Sequence, residues 1–307
     1  MAGSPVILCV GVAADPTFLA GLRAVRAAGS GHLAVDLPSL AMRGSVRIPL
    51  DDLANATIHT GRRVIRLDEV TAVWCRLLDV SAHAPDPRYQ HAAAGHYQAF
   101  LRLFEHLPIR VMNHPLREAT GFTKVLHAVT LAAVGGWLVP RTCLTSNPDE
   151  ARAFIADCPR GAVFKGASAA KTFAQAYEAS HEGLLERVSR VPVLFQERIV
   201  GPDVRVHTVG DQAFGEAIHS PEIDYRTVAG VNDYRPITLP ESVVRGCARL
   251  TAHTGIPLLG VDFKVDRATG EWYFLEANAM PCFEGYDRRA GGAITAAMAR
   301  WLAAPAG

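Results

Sequence analysis

The apolar run Val6-Ile-Leu-Cys-Val-Gly-Val-Ala-Ala14 limits the fold more than any other stretch, because a helix start follows it at once. Asp15-Pro16 supplies a capping carboxylate and a residue preset for the first helical turn. Phe18, Leu19, Leu22 and Val25 then recur at helical spacing up to Gly29, and His32 to Asp36 reads as a second strand. The three pieces make a βαβ unit. No lysine or arginine precedes the run, so it reads as a first buried strand rather than the apolar region of a signal peptide. Strand-like pieces follow around Val46 and at Thr71 to Cys75. An amphipathic helix over His91 to His106 stops before Pro108, and Ile109 to Met112 closes an N-terminal α/β domain near residue 113.

Beyond that point the rhythm changes. A helix from about Glu118 to Val134 ends at Gly135-Gly136, Arg141 to Leu144 is a short strand, and Asn147-Pro148 opens a helix through Ile155. Strands follow at Ala162 to Lys165, Val193 to Glu197, Val204 to Val209 and Ala213 to Ile218, the last two joined by Gly210-Asp211 as a hairpin turn. A helix over Ser242 to His253, strands at Leu258 to Val265 and Trp272 to Glu276, and a C-terminal helix from about Arg288 to Leu302 complete the pattern. The expected fold class is α/β (α+β), with a second half rich in antiparallel strands.

A chain of 307 residues suits about two domains. Its 31 Lys+Arg against 30 Asp+Glu supply no bulk positive field for nucleic acid, so any anion site must be local. The most apolar later stretch, Val125 to Pro140, is interrupted by His127, Thr130 and Gly135-Gly136, and falls short of the run of about 18 that crosses a bilayer. Six cysteines without a CxxC read as reduced, buried thiols. A soluble, cytoplasmic protein is expected, with no nucleic acid and no membrane among its partners.

The chemistry concentrates in the last strand pair. Glu276 and Asn278 stand two apart, so both side chains leave one face, and Asp262 on the neighbouring strand adds a third oxygen donor if the register sets it opposite. Hard oxygen ligands without His or Cys select Mg²⁺, which substrate phosphates then complete. The competing reading is a solvated strand edge. Val261, Phe263, Phe274 and Leu275 argue against it, because unpaired carboxylates are costly in apolar surroundings. Lys165 ends an apolar strand and precedes Gly166-Ala-Ser-Ala-Ala170, small residues that let backbone N–H groups approach an anion. Taken alone, Lys165 and Lys124 read as ordinary surface lysines. His91 and His96 lack zinc-helix spacing, and Ala28-Gly-Ser-Gly31 lacks the third glycine of a dinucleotide loop.

Together these pieces resemble the ATP-grasp superfamily, and within it the branch of the ribosomal-protein-S6 glutamate ligase and the peptide-maturing ligases. The resemblance covers about residues 110 to 305. Phe274-Leu-Glu-Ala-Asn-Ala-Met-Pro-Cys-Phe-Glu-Gly285 is similar to that branch's E-x-N-A-x-P-x-x-E-G signature, and Gln196-Glu-Arg-Ile-Val-Gly-Pro-Asp-Val-Arg-Val206 to its Q-E-(Y/F)-I followed by D-(I/V)-R. The resemblance implies a pre-ATP-grasp domain over 1-113, a small lid subdomain over 114-196 and a large subdomain over 197-307. It assigns nucleotide phosphates to Lys124 and Lys165, the adenine edge to the backbone of Glu197, Arg198 and Ile199, and the ribose hydroxyls to Asp203. Arg226 and Arg205 match arginines near the phosphates. Asp262, Glu276 and Asn278 match the Mg²⁺ ligands, for one ion or two, with Mn²⁺ as a substitute. Two departures stand out: Lys171 lies in a loop that is usually richer in glycine, where it is expected to bind nucleotide by placing a point charge on the γ-phosphate in place of backbone donors, and Met280-Pro-Cys282 replaces the usual Ser-Pro-Gly.

The activity implied is ATP-dependent ligation of a carboxylate to an amine through an acyl phosphate, on an amino acid or peptide. Lys165, Arg205 and Arg226 would neutralise the transferring group. Lids are expected around Gly166 to Lys171 and over Glu222 to Asp233. No general base is assigned, although His207 and His219 lie near the proposed site. A non-catalytic nucleotide-binding protein and a small-molecule kinase of the same fold are the alternatives. Oligomeric state is left open, a homo-oligomer included.

Overall fold

The structure, a computed structural model, describes residues 5–83, 86–115, 117, 124–166, 173–227 and 231–305. The chain divides into two compact units. One takes the chain up to residue 120, then Thr254–Leu258 and the stretch from Ala279 onward; the other takes 121–253 and Leu259–Asn278.

The first unit is built on a parallel sheet. Its strands β1 (Val6–Gly11), β2 (Gly31–Asp36), β6 (Ala72–Cys75) and β7 (Arg110–Met112) lie in the order β2-β1-β6-β7. Asp15 caps helix α1 (Pro16–Ala27) by accepting from the Thr17 N–H, and Asp36 does the same for α2 (Leu37–Arg43) through the Ser39 N–H. Alternation splits β1 between two cores. Leu8 and Val10 join Phe100, Leu103 and Phe104 of α3 (Pro87–His106). A small antiparallel meander of β3 (Ser45–Arg47), β4 (Thr57–His59) and β5 (Val64–Arg66) contributes Ile58 and Ile65 to the same core.

The C-terminal helix expected from about Arg288 to Leu302 is two helices, Glu284–Arg289 and Ala293–Ala303. Gly291 and Gly292 separate them at φ 65° and 84°, a left-handed conformation that no right-handed helix can run through. The last helix packs on α1 and β6 and buries Ile294, Ala297, Met298 and Leu302.

The second unit carries two antiparallel sheets. One has the order β10-β9-β11-β8, from β8 (Thr142–Thr145), β9 (Ala162–Gly166), β10 (Gln175–Ala176) and β11 (Val193–Glu197). The other has the order β14-β13-β12-β15-β16, from β12 (Asp203–Val209), β13 (Gln212–His219), β14 (Asp233–Ile237), β15 (Gly260–Val265) and β16 (Trp272–Asn278). Gly210 turns the β12–β13 hairpin at φ 62°. On the core face of the larger sheet Trp137 stacks on Phe274, with centroids 5.5 Å apart, and meets Phe263 edge-on at 4.9 Å. The helix Glu241–Thr254 reaches Trp137 through Gly246, where even a Cβ would stand 2.6 Å from the ring. The buried side of the smaller sheet is Phe164 and Phe195 against Ala151, Leu185 and Val188.

Among the described residues no helix is long and apolar enough to cross a membrane. The cysteines correct one expectation: Cys9, Cys75, Cys158 and Cys247 are buried, but Cys143 is half-buried and Cys282 is exposed. Cys282 lies in the loop after β16, not in an apolar run.

Candidate active site

The site is the polar face of the larger sheet in the second unit. Antiparallel pairing puts directly opposite residues on one face. The register sets Glu216 of β13 against Arg205 of β12, Arg205 against Asp262 of β15, and Asp262 against Glu276 of β16. One row across four strands therefore reads acid, base, acid, acid. The next row holds His207, Gly260 and Asn278, so the Asn278 carboxamide follows Glu276 along the same strand. A row on the other side pairs Asp203 with Lys264.

A bulge makes this arrangement possible. Strict alternation would send Phe274, Glu276 and Asn278 to one face, yet Phe274 is core. Pairing passes from Asp262–Glu276 to Phe263–Phe274 and skips Leu275. The extra residue resets the parity, so Glu276 and Asn278 face the site while Phe274 stays with Trp137. Leu275 is released to line a neighbouring cavity.

Charge on this face is tightly engaged. Arg205 Nη1 donates to Asp262 Oδ2 at 2.6 Å, and both side chains are nearly buried. Burial pushes the Asp262 carboxyl above its ordinary range; the Arg205 charge opposes this and the nearby Glu276 adds to it. Arg226 Nη1 lies 3.7 Å from Glu276 Oε1. The aim of Arg226 comes from Asp224, which accepts from Nε at 2.8 Å and Nη2 at 2.6 Å. Those hydrogen bonds raise the Arg226 pKa. Burial of Asp224 works the other way, but the arginine outweighs it and holds that carboxyl below the usual range. Asp224 Oδ2 also accepts from the Ala174 N–H at 3.1 Å, and the Phe173 ring lies 5.8 Å from the Arg226 guanidinium. Asp224, Asp262, Glu276 and Glu216 thus outnumber Arg205 and Arg226, a surplus of acid that suits a divalent cation. Among the described residues no three His, Cys, Asp or Glu side chains converge as a metal site. Asn278 adds an amide in the next row, beside Glu276 on the same strand.

Beside this face lies an open cavity of about 200 Å³. Val163, the chain from Glu197 to Gly201, Asp203, Lys264 and Leu275 line it, together with Ser220 to Ile223. Lysine 165 stands two residues along β9 from Val163, hence on the same face of that strand. Asp203 accepts from Lys264 Nζ at 2.9 Å, and burial raises its carboxyl to about 6 even against that lysine's charge. Arg160 pairs with both Glu197, at 3.4 Å, and the buried Asp266.

The structure thus gathers Glu197, Arg198, Ile199 and Asp203 at one cavity, and Arg205, Arg226, Asp262, Glu276 and Asn278 on the adjoining face. Lys171 and the side chain of Lys124 lie outside the described residues, as do most of the first expected lid and 228–230 of the second. His207 is buried on the site face, opposite Gly260, while His219 is exposed at the end of β13. Sequence reasoning missed Asp224, Lys264, Glu216 and Arg160. For Asp224 a signal existed in the D-x-R spacing, and for Lys264 in its alternation with Asp262; nothing pointed to Arg160.

No family model matches the chain, and no curated protein does. Solved structures do. A RiPP-associated ATP-grasp ligase from Chryseobacterium gregarium, in complex with ADP and a leader and core peptide, superposes with a TM-score of 0.82 at 19% identity over 97% of this chain and 96% of that one. The macrocyclase MdnC from Microcystis aeruginosa, bound to its precursor peptide MdnA, gives 0.81 at 22% identity over 97% and 99%. The ATP-grasp ligase PsnB, complexed with a minimal precursor, gives 0.76 at 24% identity over 98% and 99%. Over 97–98% of its length the chain has the fold of these ATP-grasp ligases.

Proposed function

We propose that the protein is an ATP-dependent carboxylate–amine ligase acting on a peptide. The observation that carries this reading is the row Arg205–Asp262–Glu276, with Asn278 beside it and Arg226 reaching Glu276, next to the cavity lined by Glu197, Ile199 and Asp203. Support from the likenesses is of kind, since the ligases of Chryseobacterium gregarium and Microcystis aeruginosa are described with peptides, and PsnB with precursor, Mg and ADP.

In this reading the sheet β8–β11 belongs to the lid subdomain expected over 114–196 and the sheet β12–β16 to the large one. A peptide carboxylate oxygen forms a bond to the γ-phosphorus of ATP and ADP leaves; an amine then attacks the acyl carbon and phosphate leaves. The chain's own work is to bring an anion against a polyanion and keep water away. Lys165, Arg226 and Arg205 oppose that repulsion. The Glu197–Ile199 backbone receives the adenine edge, and the Asp203 carboxylate accepts from the ribose hydroxyls. Asp262, Glu276 and Asn278 would hold Mg²⁺, which supplies charge neutralisation to phosphate oxygens when bound.

With ATP, Mg²⁺ and acid-bearing peptides, ADP and free phosphate are expected in equal amounts, with a new amide bond seen by mass spectrometry. ADP without free phosphate would instead mark a kinase, and nucleotide binding without turnover a binding protein. Glu276→Gln is expected to keep the fold and lower ADP formation by about 100-fold or more. Turnover unchanged in that variant removes the proposed metal set. Lys165→Met is expected to weaken ATP binding.

A further inference from the structure

Outside the candidate active site, the first unit carries a hollow of about 880 Å³ between α2 and the β4–β5 hairpin. Asp36, Ser39, Arg43, Arg62 and Arg63 are among its lining residues. The hairpin is closed by the Thr60 N–H donating to the Arg63 carbonyl at 3.0 Å. At its tip Gly61 has φ 78°, and a Cβ there would stand 3.1 Å from the Arg43 carbonyl oxygen. The tip is therefore pressed against the end of α2, which brings three arginines to one rim.

All three are exposed, and among the described residues none takes part in an ion pair. Arg43 makes one long hydrogen bond, 3.4 Å from Nη2 to Ser39 Oγ. Asp36 brings one negative charge to the same hollow and is held in place by neutral donors. Its Oδ1 accepts from the Ala13 N–H at 2.8 Å, and its Oδ2 from the Ser39 N–H at 3.2 Å and the Ser39 hydroxyl at 2.6 Å. Three guanidiniums against one carboxylate still leave the hollow with an excess of positive charge, in a chain whose net charge is only +1.

We propose that this hollow is a docking subsite for carboxylate side chains of an acidic peptide. The inference rests on the ligase reading, which requires a substrate bearing carboxylates. Guanidinium forks match carboxylates in shape and hold their charge at any physiological pH. No aromatic side chain lines the hollow to stack a base, which distinguishes it from a single-strand nucleic-acid groove.

The test uses the full chain and a fluorescein-labelled hexaglutamate peptide, followed by anisotropy at low salt, with hexaglutamine as the neutral control. Arg62→Glu/Arg63→Glu is expected to weaken hexaglutamate binding about tenfold or more. Arg187→Glu/Arg190→Glu makes the same charge change at exposed positions elsewhere and is expected to shift it less than about twofold. Equal losses in both variants overturn the proposal, as does displacement of the peptide by inorganic phosphate at matched ionic strength or by an oligonucleotide that binds more tightly. Labelled ADP is titrated in parallel. Lost peptide docking with intact ADP binding isolates this hollow, whereas a parent chain that binds no nucleotide sinks the ligase reading by itself.

Discussion

Asp203 is the side chain whose environment makes the sharpest claim. Burial lifts its carboxyl to about 6, from an unfolded value near 4, so the folded state holds the proton more tightly than the unfolded state does. Stability from this group is complete below about pH 4 and is lost as pH rises through 6, on the order of 3 kcal/mol at neutral pH. Urea melts are expected to move in favour of Asp203→Asn, relative to the parent, between pH 4 and pH 7; a pH-independent difference would show that the buried carboxyl is not strained. An ionised Asp203 is the better acceptor for hydroxyls, so ADP affinity in the parent is expected to rise over the same interval and to stay flat in the variant. At this scale the sequence was informative about residue types. Acid at 262 and 276 and an amide at 278 were visible as oxygen donors, and Asp203 came from the family resemblance, while the pairing of Asp262 with Arg205 was not visible, because a cross-strand ion pair depends on a register that spacing alone does not set.

Among elements, strands β15 and β16 and the helix behind them decide whether the polar face exists. Alternation identified both strands and put Glu276 and Asn278 on one face, but it carries no sign of the bulge that turns Phe274 to the core, since a bulge is a local choice made by packing against Trp137. The close approach of Gly246 to that ring is what the packing requires. Gly246→Val is expected to destabilise the protein by about 2 kcal/mol or more, because a branched side chain must displace either the indole or the Gly135 carbonyl. Gly95→Ala on α3 is the opposite case: an added Cβ meets nothing within 4 Å, so helix propensity is expected to raise stability by up to about 1 kcal/mol. Thermal melts of the pair check both signs. The split C-terminal helix belongs here too. Its apolar spacing persists through Gly291 and Gly292, and only their left-handed backbone ends the first segment.

For the whole molecule, fold class was legible because the two halves differ in rhythm, parallel strands with intervening helices giving way to hairpins. Membership of the two units was not. Composition and turn signals read along the chain, whereas Thr254–Leu258 and everything from Ala279 onward join the unit that contains the N-terminus. Deleting 293–307 is expected to unfold that unit, since Ile294, Ala297, Met298 and Leu302 leave its core and each large apolar side chain contributes about 1.5–3 kcal/mol against a total stability of only about 5–15. Limited proteolysis checks this: resistance of residues before 120 in the truncated chain would contradict it. The same threading has a consequence for synthesis. Residues 5–115 are made well before Ala293–Ala303, and until that helix follows, their sheet waits with a bare flank where it will lie.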